Sequence, residues 1–419
     1  MSASKVGIIG LGYVGLPLAV AFAEAGSEVV GLDVDQSKID ALGRGESYIE
    51  DVPSDRLAGL DGRLTATADY ADLASCDAVM ICVPTPLTKS REPDLTYLED
   101  SARSLGGVLA AGQLVVLEST TYPGTTRERL QPILESGSGL KAGSDFSLAF
   151  SPERIDPGRT DHDIRTTPKI VGGLTESCTE RAAEVYGEVC DEIVRVSGPE
   201  AAELAKLLEN IFRSVNIALV NEMAMLCDRL GIDVWEVIDA AATKPYGFMR
   251  FDPGPGMGGH CLPVDPFYLA YKARQHDFYT EFIELAGKMN QNQPYFCVER
   301  IERALNDAGK PVRGSKVLLL GVAYKGGVSD TRESPALKII ALLRGLGADV
   351  SYHDPHVPAL PDLELESSPL DAALGGCDIA AIVTSHPEFD YEQIVAAAPL
   401  VMDFRGVTRD IDADNVERL

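Results

Sequence analysis

The feature that most constrains the fold of this 419-residue chain is a glycine-rich turn near its beginning. Gly10, Gly12 and Gly15 follow a short apolar strand and open a segment with helical spacing, from Leu16 to Ala25. The glycines permit a tight turn and let a pyrophosphate approach the first turn of that helix. The sequence therefore predicts a strand, a phosphate-binding turn and a helix, which together form the first half of a dinucleotide-binding unit.

An acidic residue completes that unit. A second apolar strand runs from Glu28 to Asp33, so a carboxylate ends it at about the distance of twenty residues that such units show. A carboxylate at this place accepts hydrogen bonds from the ribose hydroxyls and would repel a 2′-phosphate. We therefore expect Gly10, Gly12, Gly15 and Asp33 to bind NAD rather than NADP. The alternative is that the glycines serve only close packing.

Strands and helices alternate through the first and last parts of the chain. Further apolar strand patterns occur at residues 78–83, 114–118, 147–150, 170–171, 316–321, 349–353, 378–384 and 400–404. This alternation predicts doubly wound, mostly parallel sheets. We therefore expect an α/β protein with two Rossmann-like doubly wound domains.

The middle of the chain has a helical pattern. After Pro199, apolar residues recur at helical spacing from Glu200 to Leu230 without an internal glycine or proline, which predicts one long connecting helix. Helical patterns also occur at 234–242 and 267–290, on either side of an irregular stretch rich in glycine and proline. We expect an NAD-binding domain over 1–197, an all-helical central domain over 198–300 and a second α/β domain over 311–419.

Composition excludes several classes of partner. The formal net charge is −27, from 64 acidic and 37 basic residues, which argues against binding to nucleic acid or to an anionic membrane surface. No apolar run is long enough to predict insertion into a membrane. Eight cysteines are scattered without a CxxC pair, as is typical of reduced thiols, and a cytoplasmic location is therefore expected.

One cysteine stands in an unusual setting. Cys261 lies within GPGMGGHCLPVD, which begins at Gly254, and has a histidine before it and Asp265 shortly after it. Small, flexible neighbours make such a thiol reachable and partly ionised, which suits a covalent nucleophile. The alternative is an inert buried thiol in a turn.

Two further groups of polar residues suggest a site. Lys206, Asn210 and Arg213 share one face of the long helix by their spacing and could hold an anion or an oxyanion, although a solvated helix face has the same pattern. Glu153 and Arg154 follow a strand end, at the edge where α/β proteins bind ligands. No metal site is predicted, because the histidines of the segment HDPH offer too few ligands.

Longer motifs occur in order along the whole chain. They read GLGYVGLP from Gly10, CVPTP from Cys82, ESTTYPGTT from Glu118, SPERIDPG from Ser151, GGHCLPVDPFYL from Gly258 and AYKGGVSDTRESPA from Ala323. With the Lys206 helix, they resemble the UDP-glucose/GDP-mannose dehydrogenase family from end to end. The resemblance implies an N-terminal NAD-binding domain, a central helical dimerisation region and a C-terminal domain that binds a UDP-sugar.

The resemblance also implies roles for individual residues. Cys261 would capture the aldehyde formed by a first oxidation, Lys206 and Asn210 would stabilise an oxyanion, and Glu153, Thr120 and Asp265 would position or activate water. The substrate contacts would be Arg154, Ile155, Lys206, Asn210, Arg213, Arg250, Gly258 and Lys325. The residues near NAD would be Gly10, Gly12, Tyr13, Val14, Gly15, Asp33, Lys38, Thr85, Thr121 and Arg332.

Two departures from the UDP-glucose branch bear on the substrate. Pro157 replaces a second glutamate and Val264 replaces a lysine, as in the branch that acts on UDP-2-acetamido sugars. The resemblance is greatest to UDP-N-acetylglucosamine 6-dehydrogenases. The alternatives are UDP-N-acetylmannosamine or UDP-glucose as substrate, a dehydrogenase that stops after one oxidation, and a non-catalytic binder of nucleotide sugars.

Overall fold

A computed structural model describes residues 4–49, 51–88, 92–155, 162–259, 262 and 264–419. The chain divides into two compact units. The first unit contains Met1–Glu209 and Phe267–Tyr279, and the second contains Asn210–Pro266 and Thr280–Leu419. The three domains expected from the sequence divide the chain differently from these two units, and the domain boundaries stay a prediction.

The first unit is built on an eight-stranded sheet in the order β3-β2-β1-β4-β5-β6-β7-β8. Its strands are β1 (Lys5–Ile9), β2 (Glu28–Leu32), β3 (Leu64–Thr67), β4 (Ala78–Ile81), β5 (Leu114–Leu117), β6 (Ser147–Phe150), β7 (Lys169–Gly173) and β8 (Ile193–Arg195). All neighbours are parallel except β6 and β7, which are antiparallel. The order of the first six strands is that of a dinucleotide-binding fold.

Helices connect these strands. They are α1 (Gly15–Glu24), α2 (Gln36–Gly43), α3 (Ser54–Ala58), α4 (Thr96–Gly106), α5 (Gln131–Ser138) and α6 (Glu176–Tyr186), with a 3₁₀ helix at Tyr70–Ser75 and a π-helix at Thr126–Leu130. The inner strands β4 and β5 are buried at every position, because helices cover both faces of a parallel sheet. Ligands of such sheets bind outside the carboxyl ends of the strands.

The predicted long helix is confirmed as α7 (Pro199–Leu230), and α8 (Val234–Ala242) follows it. The helical pattern over 267–290 does not belong to one continuous helix. Two helices occur there instead, α9 (Asp265–Arg274) and α10 (Glu281–Asp307). Asp277 has a φ of 53°, which no helix interior tolerates, so the chain turns between them.

The second unit contains a five-stranded sheet, entirely parallel, in the order β10-β9-β13-β14-β15. The strands are β9 (Lys316–Leu320), β10 (Asp349–His353), β13 (Ile379–Ile382), β14 (Val401–Asp403) and β15 (Val416–Arg418), while β11 (Ala359–Leu360) and β12 (Leu365–Glu366) form a separate hairpin. Its helices are α11 (Pro335–Leu346), α12 (Leu370–Leu374) and α13 (Tyr391–Ala397), with a 3₁₀ turn at Pro361–Leu363. The predicted α/β class with two doubly wound domains is thereby confirmed.

Side-chain alternation along β9 divides the interior of the second unit into two cores. Val317 and Leu319 pack on one face with residues of α10 and α11, whereas Leu318 and Leu320 pack on the other with residues of α13. Successive strand residues point to opposite faces, so a fully apolar strand requires helices on both. Among the described residues, no helix is long and apolar enough to cross a membrane.

Truncation of a residue in β9 tests this arrangement. Leu319 is completely buried, so Leu319→Ala should lower the free energy of unfolding by about 2–5 kcal/mol through lost burial and a new cavity. Leu346, at the end of α11, is 38% exposed, and Leu346→Ala should cost clearly less. Chemical denaturation followed by circular dichroism measures both, and equal losses would contradict the two-core description.

Candidate active site

The glycine-rich turn leaves space on one side and none on the other. Gly10 has a φ of 91° and its N–H donates to the Leu32 carbonyl at 2.7 Å. A Cβ atom at Gly15 would lie 1.8 Å from the Gly10 carbonyl oxygen, so α1 approaches the turn closely. By contrast, no described atom lies within 4 Å of a Cβ built on Gly12. The turn thus provides the open space that a pyrophosphate needs beside a helix N-terminus.

Asp33 is fixed by backbone and side-chain donors. Its carboxylate accepts hydrogen bonds from the Leu11 N–H at 2.8 Å, the Asp35 N–H at 3.0 Å and the Lys38 ammonium at 3.0 Å. The first of these bonds connects the end of β2 to the glycine turn. Asp33 and Lys38, both predicted near NAD, are therefore brought together.

Tyr48 was not predicted and lies beside this pair. Its hydroxyl donates to the Leu11 carbonyl at 2.8 Å, and its ring centre lies 6.0 Å from the Lys38 nitrogen. Burial, aided by the Asp33 and Asp35 carboxylates, raises the pKa of Tyr48, so the hydroxyl stays a donor. The tyrosine therefore holds the turn through the Leu11 carbonyl, whereas Asp33 holds it through the Leu11 N–H.

Two loops, one after β4 and one after β5, carry the three predicted threonines. The Thr85 hydroxyl donates to the Thr120 carbonyl at 2.7 Å, and the Tyr268 hydroxyl donates to the Thr85 carbonyl. Thr121 is buried, and its hydroxyl has no hydrogen-bond partner among the described residues. A buried polar atom of this kind is normally satisfied by a ligand or by water. With the open space at Gly12, it makes this unit fit a dinucleotide.

Glu153 is held by its own backbone and by a lysine. One carboxylate oxygen accepts the N–H groups of Arg154 at 2.7 Å and Ile155 at 2.5 Å, and the other lies 3.5 Å from the Lys169 nitrogen. Burial alone would raise the pKa of Glu153, but Lys169, the two N–H groups and Lys206 together lower it. Glu153 is thus a carboxylate able to accept a proton.

Arg154 is engaged within the same unit. Its guanidinium pairs with Glu209 at 2.8 Å and donates to the Pro168 carbonyl at 2.5 Å. One quarter of the side chain remains exposed, so a substrate could still reach it.

In the second unit, Asn210 and Asp265 meet directly. The Asn210 amide donates to the buried Asp265 carboxylate at 2.5 Å. Farther along α7, Asn221 accepts the Gly254 N–H at 3.0 Å and donates to Asn290 of α10 at 3.2 Å. These amides tie the beginning and end of the glycine-rich segment to the central helices.

The same segment lies against the loop that follows β9. The Gly259 N–H donates to the Arg332 carbonyl at 3.0 Å, and a Cβ at Gly258 would lie 2.7 Å from the Cβ of Tyr324. The glycines are therefore required by close backbone approach. His260, Cys261 and Pro263 lie outside the described residues.

The other predicted binding residues are positioned differently. Arg250 pairs with Asp239 at 2.5 Å and Asp252 at 2.9 Å, and Arg332 pairs with Asp330 at 2.6 Å. Arg213 and Lys325 also belong to the second unit, exposed and half-buried respectively. Tyr13 and Val14 are at the glycine turn, exposed and half-buried. The roles of all these residues in binding stay predictions.

Family models match three successive parts of the chain. They are described as the NAD binding domain (residues 4–190), the central domain (200–292) and the UDP binding domain (318–410) of the UDP-glucose/GDP-mannose dehydrogenase family. The chain belongs to this family. It is an NAD-dependent UDP-sugar dehydrogenase, and the predictions of the family, of NAD and of an oxidoreductase are confirmed.

Relatives of this dehydrogenase match it over nearly its whole length. A UDP-N-acetyl-D-mannosamine dehydrogenase from Pyrococcus horikoshii is 36% identical and covers 97% of this chain and 99% of its own. A UDP-N-acetyl-D-glucosamine 6-dehydrogenase from Pseudomonas aeruginosa is 37% identical, with 92% and 91% covered. A solved structure of UDP-D-ManNAc dehydrogenase from P. horikoshii has a TM-score of 0.91 at 34% identity, with 99% and 98% covered.

The remaining cysteines of the dehydrogenase are poor nucleophiles. All seven in the described part of the chain are buried. Burial raises the pKa of six of them, namely Cys76, Cys82, Cys190, Cys227, Cys297 and Cys377. A thiol must ionise to attack, so these side chains are suited to packing rather than to catalysis.

One cluster of possible metal ligands occurs among the described residues. His356, His386 and Glu388 each place a ligand atom within 4.8 Å of the others. However, His386 accepts the Gly327 N–H at 3.2 Å on one ring nitrogen and donates to Asp354 at 3.0 Å with the other. Both nitrogens are therefore engaged, and the cluster is better explained as a hydrogen-bond network that stabilises the loop after β9.

Several residues of the site were missed by sequence reasoning. Glu118 ends a predicted strand and Lys169 directly precedes the predicted strand at 170–171, but nothing in the pattern revealed that β7 runs antiparallel to β6. Tyr48, Asn221 and Asn290 had no motif that pointed to a role. A polar residue within an apolar helical stripe, such as Asn221, was the one usable signal, because it must find a buried partner.

A glycine substitution tests the cofactor site of the dehydrogenase. Gly12→Val should fold normally, since its surroundings are open, but its side chain would fill the space expected for the pyrophosphate. We expect NAD binding to weaken at least about tenfold, or about 1.4 kcal/mol. Gly43→Val is the matched control, at a glycine with equally open surroundings in α2. Unchanged NAD affinity in Gly12→Val, measured by calorimetric titration, would refute this placement.

Proposed function

We propose that this dehydrogenase oxidises the C6 primary alcohol of UDP-N-acetylglucosamine to the uronate through a thioester on Cys261. The observation that carries the proposal is that the segment containing Cys261 is anchored on both sides. Gly259, two residues before it, bonds to the Arg332 carbonyl, and Asp265, four residues after it, is buried against Asn210. These fixed flanking residues support the proposal, because a nucleophile must be positioned to act on a given carbon atom.

The chemistry explains why a cysteine is needed. Removal of a hydride and a proton from the C6 alcohol gives an aldehyde, which cannot readily lose a second hydride. Addition of the Cys261 sulfur to the aldehyde carbon gives a thiohemiacetal, which can, and a thioester results. Water then adds to the thioester carbon, the carbon–sulfur bond breaks, and the carboxylate leaves. NAD supplies the hydride acceptor for both oxidations, so one sugar consumes two NAD and one water.

Other side chains have roles that this sequence of steps requires. Lys206 and Asn210 stabilise the negative oxygen of the aldehyde adducts. Donors that are already oriented do this well, because they need no reorganisation when the charge forms. Glu153 accepts the proton of the attacking water, with Thr120 and Asp265 positioning that water. The lowered pKa of Glu153 supports this role, because a base must be ionised at the working pH.

The choice of sugar rests on sequence. The relatives named for the N-acetylmannosamine and the N-acetylglucosamine substrates are 36% and 37% identical to this chain, so identity does not decide between them. We propose UDP-N-acetylglucosamine from the motif PFYLAYKAR and the GESYIEDV segment near Gly45. UDP-N-acetylmannosamine and UDP-glucose are the second candidates, since the same Cys261 chemistry would oxidise each.

Stoichiometry with a panel of UDP-sugars tests the activity. We expect two NADH per molecule of UDP-N-acetylglucosamine, followed by absorbance, and little turnover of its epimer or of UDP-glucose. Cys261→Ser should abolish uronate formation and leave NAD binding nearly intact, because the cysteine acts on the substrate alone. Normal uronate production by Cys261→Ser, or one NADH per sugar in the wild type, would remove the thioester from the mechanism.

We further propose a homodimer formed through α7. In the second unit, Phe212, Leu219, Leu226 and Leu230 are 45, 54, 46 and 60% exposed, at intervals that place them along one side of the helix. A contiguous apolar stripe of this kind is typical of an interface. The resemblance to the family assigns dimerisation to this central region.

Light scattering tests the dimer. Leu219→Glu together with Leu226→Glu should convert the dimer to a monomer, because two charges would be desolvated at each copy of the interface. Tyr97→Glu is the control, since Tyr97 is equally exposed on α4. A wild-type monomer with full activity would contradict the proposal.

A further inference from the structure

Three charged residues of the first unit are in contact with one another, and their exposure increases from the first to the third. Lys169 lies between two carboxylates, with its nitrogen 2.8 Å from Glu118 and 3.5 Å from Glu153. The side chains of Glu118, Lys169 and Glu153 are 0, 6 and 14% exposed, so of the three Glu153 is the most accessible. The inner carboxylate also accepts the hydroxyl of Tyr186 from α6.

The direction of β7 explains why a lysine can stand there. Glu118 directly follows β5 and Glu153 follows β6 by a few residues, so both lie at the carboxyl edge of the sheet. Lys169 is the first residue of β7, and it reaches the same edge because β7 is antiparallel to β6. The reversed strand therefore brings a cation to the edge at which ligands bind in this class of sheet.

We propose that Lys169 is a positioning residue, which keeps Glu153 an aimed carboxylate for the water-activating step, with Glu118 as its inner counter-charge. The inference rests on the proposed function of Glu153. It goes beyond that function because it attributes the ionised form of Glu153 to Lys169, which takes no direct part in the reaction.

The two carboxylate oxygens of Glu153 have different partners. One oxygen is directed by the N–H groups of Arg154 and Ile155, and the other faces Lys169. Burial favours the neutral acid, whereas an ammonium group at this distance favours the carboxylate. Burial by itself would lower the pKa of Lys169. The carboxylates of Glu118 and Glu153 raise that pKa by more than burial lowers it, so the group stays an ammonium.

The other titratable groups near Glu153 do not replace Lys169. Among the described residues of the first unit they include Lys206 of α7, Glu118, Cys82, Cys190 and Arg154, whose guanidinium pairs with Glu209. Lys206 also lowers the pKa of Glu153, but less than Lys169 does. Burial raises the pKa of both thiols, so they are neutral and contribute no charge. Among the described groups, Lys169 therefore lowers the pKa of Glu153 the most.

Lys169→Met and Glu118→Gln each replace a charged side chain by a neutral one of similar size, and they should affect the pH profile of kcat differently. In Lys169→Met, Glu153 loses its cation and its pKa rises, so the acidic limb of the kcat profile should move to higher pH by at least about one unit. In Glu118→Gln, a negative charge near Glu153 is lost while Lys169 remains, so the limb should stay or move to lower pH. A merely structural role would not separate the two variants in this way.

A double variant guards against failure to fold. Lys169→Met leaves Glu118 without its partner, which can unfold the protein, whereas Lys169→Met with Glu118→Gln removes both buried charges together. The double variant should therefore fold and still show the limb displaced to higher pH. Titration of the Glu153 carboxyl by ¹³C NMR, assigned with Glu153→Gln, should show the same displacement without any turnover.

The outcomes separate this inference from the proposed function. A wild type that releases fewer than two NADH per sugar would refute the function, while the NMR titration would still report the effect of Lys169 on Glu153. Superimposed titrations and pH profiles of wild type and the Lys169 variants would overturn the inference, even with two NADH released. A shift of Glu118→Gln to higher pH, like that of Lys169→Met, would overturn it as well.

Discussion

A single hydrogen bond from a glycine-rich turn to a strand-end carboxylate organises each unit of this protein. Asp33 accepts the N–H of the residue after Gly10 at 2.8 Å, and Asp354 accepts that of the residue after Gly321 at 2.7 Å. Both glycines have a positive φ, which lets the chain turn sharply at the end of the first strand. The carboxylate fixes this turn against the neighbouring strand, at the edge of the sheet where ligands bind in this class of fold.

The two units then use the same carboxylate differently. Asp33 accepts two backbone N–H groups and Lys38, and it lies beside the open glycine turn. Asp354 accepts four backbone N–H groups and His386, which outweigh its burial and lower its pKa to about 2. Its oxygens are thus saturated by the protein, and little capacity is left for ribose hydroxyls. This difference explains physically why a repeated fold binds NAD in one unit and has another role in the second.

The sequence predicted what depends on local periodicity and on motifs. The strand at Lys5–Ile9, the glycine turn, the position of Asp33 at the end of the second strand and the long helix were all correct, because each is encoded by neighbouring residues. The short edge strands at Leu64–Thr67 and Val416–Arg418 were missed, since a few half-buried residues carry little pattern. Strand direction was equally hidden: the residues 169–173 have the same pattern in either direction, so the contact of Lys169 with Glu118 could not be foreseen.

The ion pair of Lys169 and Glu118 is not what stability alone would favour. Replacing a buried ion pair by well-packed apolar side chains is often neutral or stabilising, so stability alone does not account for Glu118 and Lys169 in the interior. Burial of Glu118 raises its pKa, which shows the opposition between its charge and its surroundings. The arrangement makes sense if the positive end of the pair is what matters, because a second carboxylate lowers the cost of burying the ammonium that faces Glu153. Glu118 then stabilises Lys169, and Lys169 favours the ionised form of Glu153 at the edge of the sheet.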